Sequence, residues 1–487
     1  MAIESDIVWT QAGGILRGEE YGDYFGGAVS MSNDATRIVV SGKLGDAVLA
    51  NAGFVAVYEK SGRSWHQLGE TLHGEIVNEQ FGAAVSISGD GTTVAVGSPW
   101  NDASGTESGS VRVYTYTFDA VSAKWSWTML GNMLSGDQPY DRFGISVALN
   151  EDGTRFVAGS PKADTGGINA GHVRSYEYTG GGAWLIMGGM ARGAGIGDEA
   201  GTAVAMNSLG DHVVIGSPYH STTGGVMTGS ARVLQWTDDS WTQKGITLEG
   251  RYVDDVFGLS VSLDEMGETV AVGAPGVSQN VVPVYTGVAA HRGYVDVYRW
   301  VMTSWEVFDW QLIGHLMGGV AEQEYFGYAV SLSLSGTLVA VGAPELTEGG
   351  LSFVGGVTVF ERAHNAWSQH GERLPGRHSE GYSGTAVSLS GDGSAVLVGE
   401  PGVLVDGLSP GSVSQYQLAP APSADSTALE LNEILGITNL AILGVLLLFS
   451  IYSFFQSNKQ HRRARIAYET SEAIDEVNRK ENVNMAF

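Results

Sequence analysis

The chain has 487 residues, 53 of them acidic and 26 basic, for a net charge of −27, and it contains no cysteine. So acidic a surface repels phosphate backbones and argues against nucleic acid as a partner. The lack of cysteine excludes disulfides and thiolate metal sites, so apolar burial must hold the fold, and a chain of this length has ample material for it.

The first element is Trp9 to Gly18, in which a Trp is followed by a Gly after four residues and a second Gly after nine. A 19-residue module comes next and recurs seven times. It opens at Phe25-Gly26, Phe81-Gly82, Phe143-Gly144, Ala200-Gly201, Phe257-Gly258, Phe326-Gly327 and Ser383-Gly384. Ten residues after each opening stands a Gly in six copies, with Ala35 in the first. Eighteen residues after it stands a Pro in six copies, with Lys43 in the first. The openings are 56, 62, 57, 57, 69 and 57 residues apart. Constant spacing inside the module and variable spacing between copies mark one repeated supersecondary unit joined by loops.

Each copy predicts four strands. In the second, Ala84 to Ile87 and Thr93 to Val96 flank the turn Gly89-Asp90-Gly91 and give strands a and b. Gly109 to Tyr114 alternates with period two and gives strand c. The Trp-to-Gly element, Trp127 to Gly136 in this copy, gives strand d. Six such d elements follow the first six c strands, and none follows the seventh at Tyr416; the missing one is Trp9 to Gly18, at the other end of the chain. In a closed ring the N-terminal strand completes the last blade and removes a sheet edge. The expected fold is therefore all-β, a seven-bladed β-propeller over residues 1–419 closed by an N-terminal strand, with an eight-bladed ring or an open solenoid as alternatives.

After a linker at 420–433, residues 434–455 run without a charge for 22 residues, long enough to cross a hydrocarbon core as a helix. Lys459, Arg462, Arg463 and Arg465 then predict a cytosolic tail at 456–487 and an extracytosolic propeller. Met1 to Asp6 has neither a basic start nor an apolar run, so that orientation implies a leader already removed; the alternative is late insertion with the propeller left in the cytosol. Gly436 and Gly444 share a helical face with Asn439 nearby, a pattern that either pairs helices or is merely tolerated.

The Phe-Gly openings, the Gly-x-Pro closes and the seven copies together resemble the FG-GAP repeat of integrin alpha subunits and integrin-like surface proteins. The resemblance spans residues 9 to about 418 and implies a propeller with an adhesion or protein-binding role, its partners meeting the loops of one face. The chain departs from the pattern in its a–b turns. The family's calcium loop places acids at alternate residues, whereas Ser88-Gly89-Asp90-Gly91 and its equivalents carry one or two carboxylates where calcium takes six to eight oxygens. No cofactor and no metal site are expected, with calcium in these turns as the alternative.

Two residues before each opening lies an acid in six copies, Asp23, Glu79, Asp141, Asp198, Asp255 and Glu324, with Glu380 one place earlier in the seventh. Either they ring the channel and bind a cation or a basic partner residue, or each accepts hydrogen bonds from its own loop. The insertion Gly276 to Arg292 is apolar for a loop and either meets a partner or folds back. No nucleophile with a nearby base is legible. The first reading is thus a single-pass membrane protein presenting a non-catalytic, acidic propeller to protein partners that are basic or cation-bridged. The alternatives are a structural subunit of a membrane complex and an enzyme with a channel-mouth site.

Overall fold

The computed structural model describes residues 7–120, 123–222, 227–276, 293–304, 307–318, 324–402 and 410–420. Every regular element among them is a β-strand, and the strands form seven antiparallel sheets. In each sheet strands a, b and c pair in chain order and d closes the outside. The seven a strands, Phe25–Met31, Ala84–Ile87, Val147–Leu149, Ala203–Met206, Ser260–Leu263, Ala329–Leu332 and Ala386–Leu389, neighbour one another in that order, and the last neighbours the first. This is the seven-bladed ring, and blades are numbered here by these strands. Ile7–Gln11 pairs antiparallel with Ser412–Pro420, Trp9 opposite Leu418, and so supplies the outer strand that blade 7 lacks.

The apolar core is divided into seven clusters, one at each blade interface. Strand b is the centre of every blade, buried on both faces; all six residues of Thr93–Ser98 and of His212–Ser217 are buried. A strand covered on both sides needs no alternation, which is why these stretches read as continuous apolar runs.

The Phe-Gly opening is a type II turn. In all seven blades the carbonyl of the residue before the opening accepts a hydrogen bond from the N–H three residues on, as in Gly27 N to Tyr24 O at 3.0 Å and Thr385 N to Tyr382 O at 3.2 Å. The Gly occupies the turn position that requires positive φ, between 88° and 94° in every copy. Phe25, Phe81, Phe143, Phe257 and Phe326 drive their rings into the interfaces and are at most 2% exposed. Ala200 and Ser383 fill the same place with less volume.

The Gly of the Gly-x-Pro close has a different duty. A Cβ at Gly97, Gly159, Gly216, Gly273, Gly342 or Gly399 would overlap the carbonyl oxygen of the next blade's opening Gly, at Gly144, Gly201, Gly258, Gly327, Gly384 and Gly26 in turn. The two signatures of the repeat thus touch backbone to backbone across each of these seams, which fixes their spacing.

At the a–b end the ring is tied by backbone hydrogen bonds from blade to blade. Asn33 N donates to Gly89 O, Gly89 N to Glu151 O, Glu151 N to Ser208 O, Glu265 N to Leu334 O, Leu334 N to Gly391 O and Gly391 N to Asn33 O, all at 2.8 to 3.1 Å. Asn207 Nδ2 donates to Glu265 O at 3.2 Å and supplies the remaining link.

On the outside, strand d of most blades breaks into two pieces. In blade 2, Lys124–Met129 and Leu134–Ser135 both pair with Ser110–Asp119. Blade 5 differs, with a single d strand, Val307–Met317, beside Tyr294–Ser304. Among the described residues no helix is long and apolar enough to cross a membrane. The expected span 434–455 with Gly436, Asn439 and Gly444, and the basic residues Lys459, Arg462, Arg463 and Arg465, lie outside the described residues, as does most of the insertion after Gly276.

Candidate functional site

The six acids preceding the openings are buried: Asp23, Glu79, Asp141, Asp198, Asp255 and Glu324 are at most 6% exposed. Several are held by the backbone of their own loop. Asp141 Oδ2 accepts from Gln138 N at 3.1 Å, Asp198 Oδ2 from Gly195 N at 2.7 Å, and Asp255 Oδ2 from Arg251 N and Tyr252 N at 3.0 and 2.7 Å. Glu79 Oε1 accepts from Glu75 N and Ile76 N, while its Oε2 meets Asn101 Nδ2 and Arg112 Nη2 at 2.5 and 3.1 Å. These four carboxylates thereby close the d-to-a loops that feed their innermost strands.

Glu380, expected as the seventh member, is exposed instead. Its place is taken by Glu400, at the end of strand b of blade 7, which is 8% exposed and accepts from Arg377 N at 3.3 Å. A side chain at Gly381 would overlap that carboxylate. The spacing rule missed Glu400 because the acid arrives from another strand; the available signal was the Glu that stands where blades 2 to 4 have Ser98, Ser160 and Ser217.

Burial, and then the negative charge of Glu20, push the Asp23 carboxyl up to about 6. Burial also raises Asp141. Across blade 5 the hydroxyl of Tyr294 donates to Asp255 Oδ2 at 2.6 Å, and Arg251 and His315 flank Asp296.

The residues just before each opening, which in six blades directly follow these acids, share one backbone conformation. Tyr24, Gln80, Arg142, Glu199, Val256, Tyr325 and Tyr382 all have left-handed φ, between 52° and 61°, which side chains other than glycine adopt rarely and β-branched Val hardly at all. The turn hydrogen bond that follows each of them holds this conformation in all seven blades.

Four tyrosines converge on one side of the mouth. Tyr328 and Tyr382 raise the Tyr24 phenol, which burial first pushes up, to about 12 in all; Tyr328 in turn feels Glu345 and Tyr219 after its own burial. Lys43 Nζ lies 4.6 Å from the Tyr24 ring centre, and Phe353 stacks on Tyr382 at 5.9 Å. On the other side Arg142 faces the Trp100 ring at 5.5 Å and pairs with Glu107, and Lys162 pairs with Glu199. The arrangement offers aromatic faces, phenol hydroxyls and the Glu345 carboxyl to a ligand. Its tyrosines escaped the sequence reading because they fall beside the repeat's fixed positions rather than on them.

The acids of the a–b turns at the opposite end are held within their own turns. Asp90 Oδ1 accepts from Ser88 Oγ, Thr92 N and Thr92 Oγ1 at 2.6 to 2.9 Å, and Asp34, Asp152 and Asp392 do much the same. Burial works against the charge of these four acids, but the hydrogen bonds outweigh it and hold them below the usual carboxylate range. Among the described residues no group of three or more His, Asp and Glu is placed to hold a metal ion.

A family model described as the FG-GAP repeat matches residues 77–114, which run from the last loop of blade 1 into strand c of blade 2. No curated protein matches the chain. Among solved structures, the chain is similar to a candidate 6-phosphogluconolactonase from Bacteroides uniformis, with 10% identity over 72% of this chain and 85% of that one, and a TM-score of 0.47. That structure is described as an enzyme, so the expectation of a non-catalytic propeller is withdrawn, and no activity passes from it to this chain. What the chain is shown to carry is an FG-GAP repeat within a seven-bladed β-propeller.

Proposed function

We propose that the propeller is a protein-binding platform, acting as a subunit of a larger assembly, and that its partner engages the channel mouth on the side of the Phe-Gly turns. The observation that carries this reading is the tyrosine crown of Tyr24, Tyr219, Tyr328 and Tyr382 around Glu345. Aromatic faces beside a carboxylate favour a cationic side chain, and the acidic surface draws a basic partner toward it. In the same reading the uncharged run at 434–455 anchors the assembly at a membrane, supported by its length and by Lys459, Arg462, Arg463 and Arg465.

The test is titration calorimetry of the full chain with an arginine-rich peptide, compared with a double variant, Tyr328→Ala with Tyr382→Ala. Loss of affinity by about ten-fold or more in the variant is expected. Equal binding by both proteins would mean that the peptide is held by general surface charge and would remove the mouth from consideration. A second reading puts chemistry at the same mouth, favoured by the Asp23 carboxyl, whose raised pKa of about 6 suits a general acid.

A further inference from the structure

The outer seams of the ring follow one rule. At six of the seven outer seams the d-strand Trp lies against a Gly of the blade before it, as Trp127 on Gly69 and Trp184 on Gly131, and at Gly188 the nearest ring is Trp236 of strand c. The indole Nε1 of the d-strand Trp then donates to the carbonyl just ahead of the Gly. Trp9 does so to His370 O, Trp127 to Leu68 O, Trp184 to Leu130 O, Trp241 to Met187 O and Trp310 to Lys244 O, at 2.7 to 3.1 Å. Among the described residues the bond is missing at two seams: at Trp65 on Gly13, between blades 7 and 1, where the Trp is only half-buried, and between blades 5 and 6. Trp367 still rests on Gly314, but its Nε1 is buried without a partner.

The cause is in blade 5. Its strand d continues as one eleven-residue strand, Val307–Met317, where other blades break at this Gly. The register steps between Val297 and Tyr298, opposite Gly314 and Leu312, so Ile313 is the extra residue of a bulge. A bulge re-aims the carbonyls around it, and the indole loses its acceptor.

Beside this seam lies a groove of about 760 Å³, bounded by Arg299, Trp300, Met302, Phe308 and Leu312 of blade 5 and by Arg362 of blade 6. Met302, Phe308 and Leu312 are 58%, 47% and 37% exposed. The Nε of Arg362 is buried without a hydrogen-bond partner, and burial together with the neighbouring Arg299 disfavours its charge. Arg299 and Arg362 line the groove together with one acid, Glu268, and although Arg362 Nη2 donates to Asn365 Oδ1 at 3.0 Å, neither arginine forms an ion pair among the described residues. The outer edge of Val307–Met317 is also the end of its sheet, an edge more than twice as long as that of the four-residue d strands of blades 1, 4 and 6.

We propose that this groove is a docking site for an extended acidic peptide segment of a partner protein. The peptide lies along the edge of Val307–Met317, its backbone completing the sheet. Its carboxylates meet Arg299 and Arg362, and its apolar side chains cover Phe308, Leu312 and Met302. Charge selects this occupant. A basic segment would bring a third positive group to an arginine pair that already repels, whereas a carboxylate satisfies both and gives Arg362 Nε an acceptor. The site is distinct from the channel mouth, which takes the opposite charge.

The test is fluorescence anisotropy of the full chain with a labelled eleven-residue peptide of alternating Glu and Leu, and with its counterpart bearing Lys for Glu. The acidic peptide is expected to bind saturably, and the lysine peptide at least about ten-fold more weakly. Arg299→Glu with Arg362→Glu, and separately Leu312→Asp on the strand edge, should each weaken the acidic peptide by about ten-fold or more while leaving the thermal melt in place. Tyr328→Ala with Tyr382→Ala should change nothing here. Equal binding of the two peptides, no saturable binding, or binding indifferent to both groove variants would overturn the proposal. So would binding of anionic lipid vesicles that the peptide does not displace.

Discussion

The inner and outer seams of this ring obey different kinds of constraint. Inside, six of the seven seams carry a Gly-to-Gly contact in which backbone touches backbone, and at the seventh the small side chain of Ser41 lies against Gly82. Outside, the Trp and Gly clasp is built from a ring on a surface, and two seams in the circle lack its hydrogen bond among the described residues, at Trp65 and, with the donor fully buried, at Trp367. The lesson is that the inner seam gives way at one blade, and only to a residue as small as Ser41, while the rim goes without an indole hydrogen bond, worth about 1 kcal/mol, at Trp65 and at Trp367 and stays closed. The larger variation, and with it the groove at blades 5 and 6, is found where closure does not depend on it.

The largest effect should come from breaking the inner seam. Gly159→Ala drives a Cβ into the backbone of Gly201 and is expected to cost about 3 kcal/mol or more, read as a lower midpoint in urea unfolding. A loss under about 1 kcal/mol would show that blades slide apart as readily inside as outside.

The rim comparison is sharpened by paired Trp→Phe changes. Trp127→Phe removes a hydrogen bond to Leu68 O and should cost about 1 to 2 kcal/mol. Trp367→Phe removes a donor that has no partner and should cost less, since a buried unsatisfied N–H goes with it. Equal costs at the two positions would erase the distinction between the seams.

The smallest effect concerns pH. The Asp23 carboxyl is raised in the fold to about 6, so the folded state holds its proton more tightly than the unfolded chain does. Its contribution is therefore fully present below pH about 4, declines as pH rises to 6, and is constant above that. Asp34, Asp90, Asp152 and Asp392 are lowered and act in reverse, losing their contribution as pH falls below the usual carboxylate range. Asp23→Asn should flatten the pH 4 to 6 portion of the stability profile and leave the acid limb unchanged. An unaltered profile between pH 4 and 6 would refute the raised Asp23.

Ring closure was legible in the sequence because an orphan Trp9 to Gly18 element at one end matched a vacancy after Tyr416 at the other. The a, b and c strands were legible from turn residues and apolar runs at constant offsets. The site was legible only in part. The acids before the openings were found by their offset, but Glu400 substitutes for the seventh from a different strand, and an offset rule cannot see a carboxylate that arrives from elsewhere.

What the sequence by itself determined is the repeat, its number and its closure, since each rests on periodic positions whose chemistry is local: Gly where φ is positive, Phe where a turn points inward, Pro where a strand ends. Only the tertiary structure decided which chemically ordinary residues meet. Tyr24, Tyr219, Tyr328 and Tyr382 come from blades 1, 4, 6 and 7, and Arg299 and Arg362 from blades 5 and 6. The reason is physical: a ring brings residues hundreds of positions apart to one mouth or one seam, and nothing in the local chain records that neighbourhood.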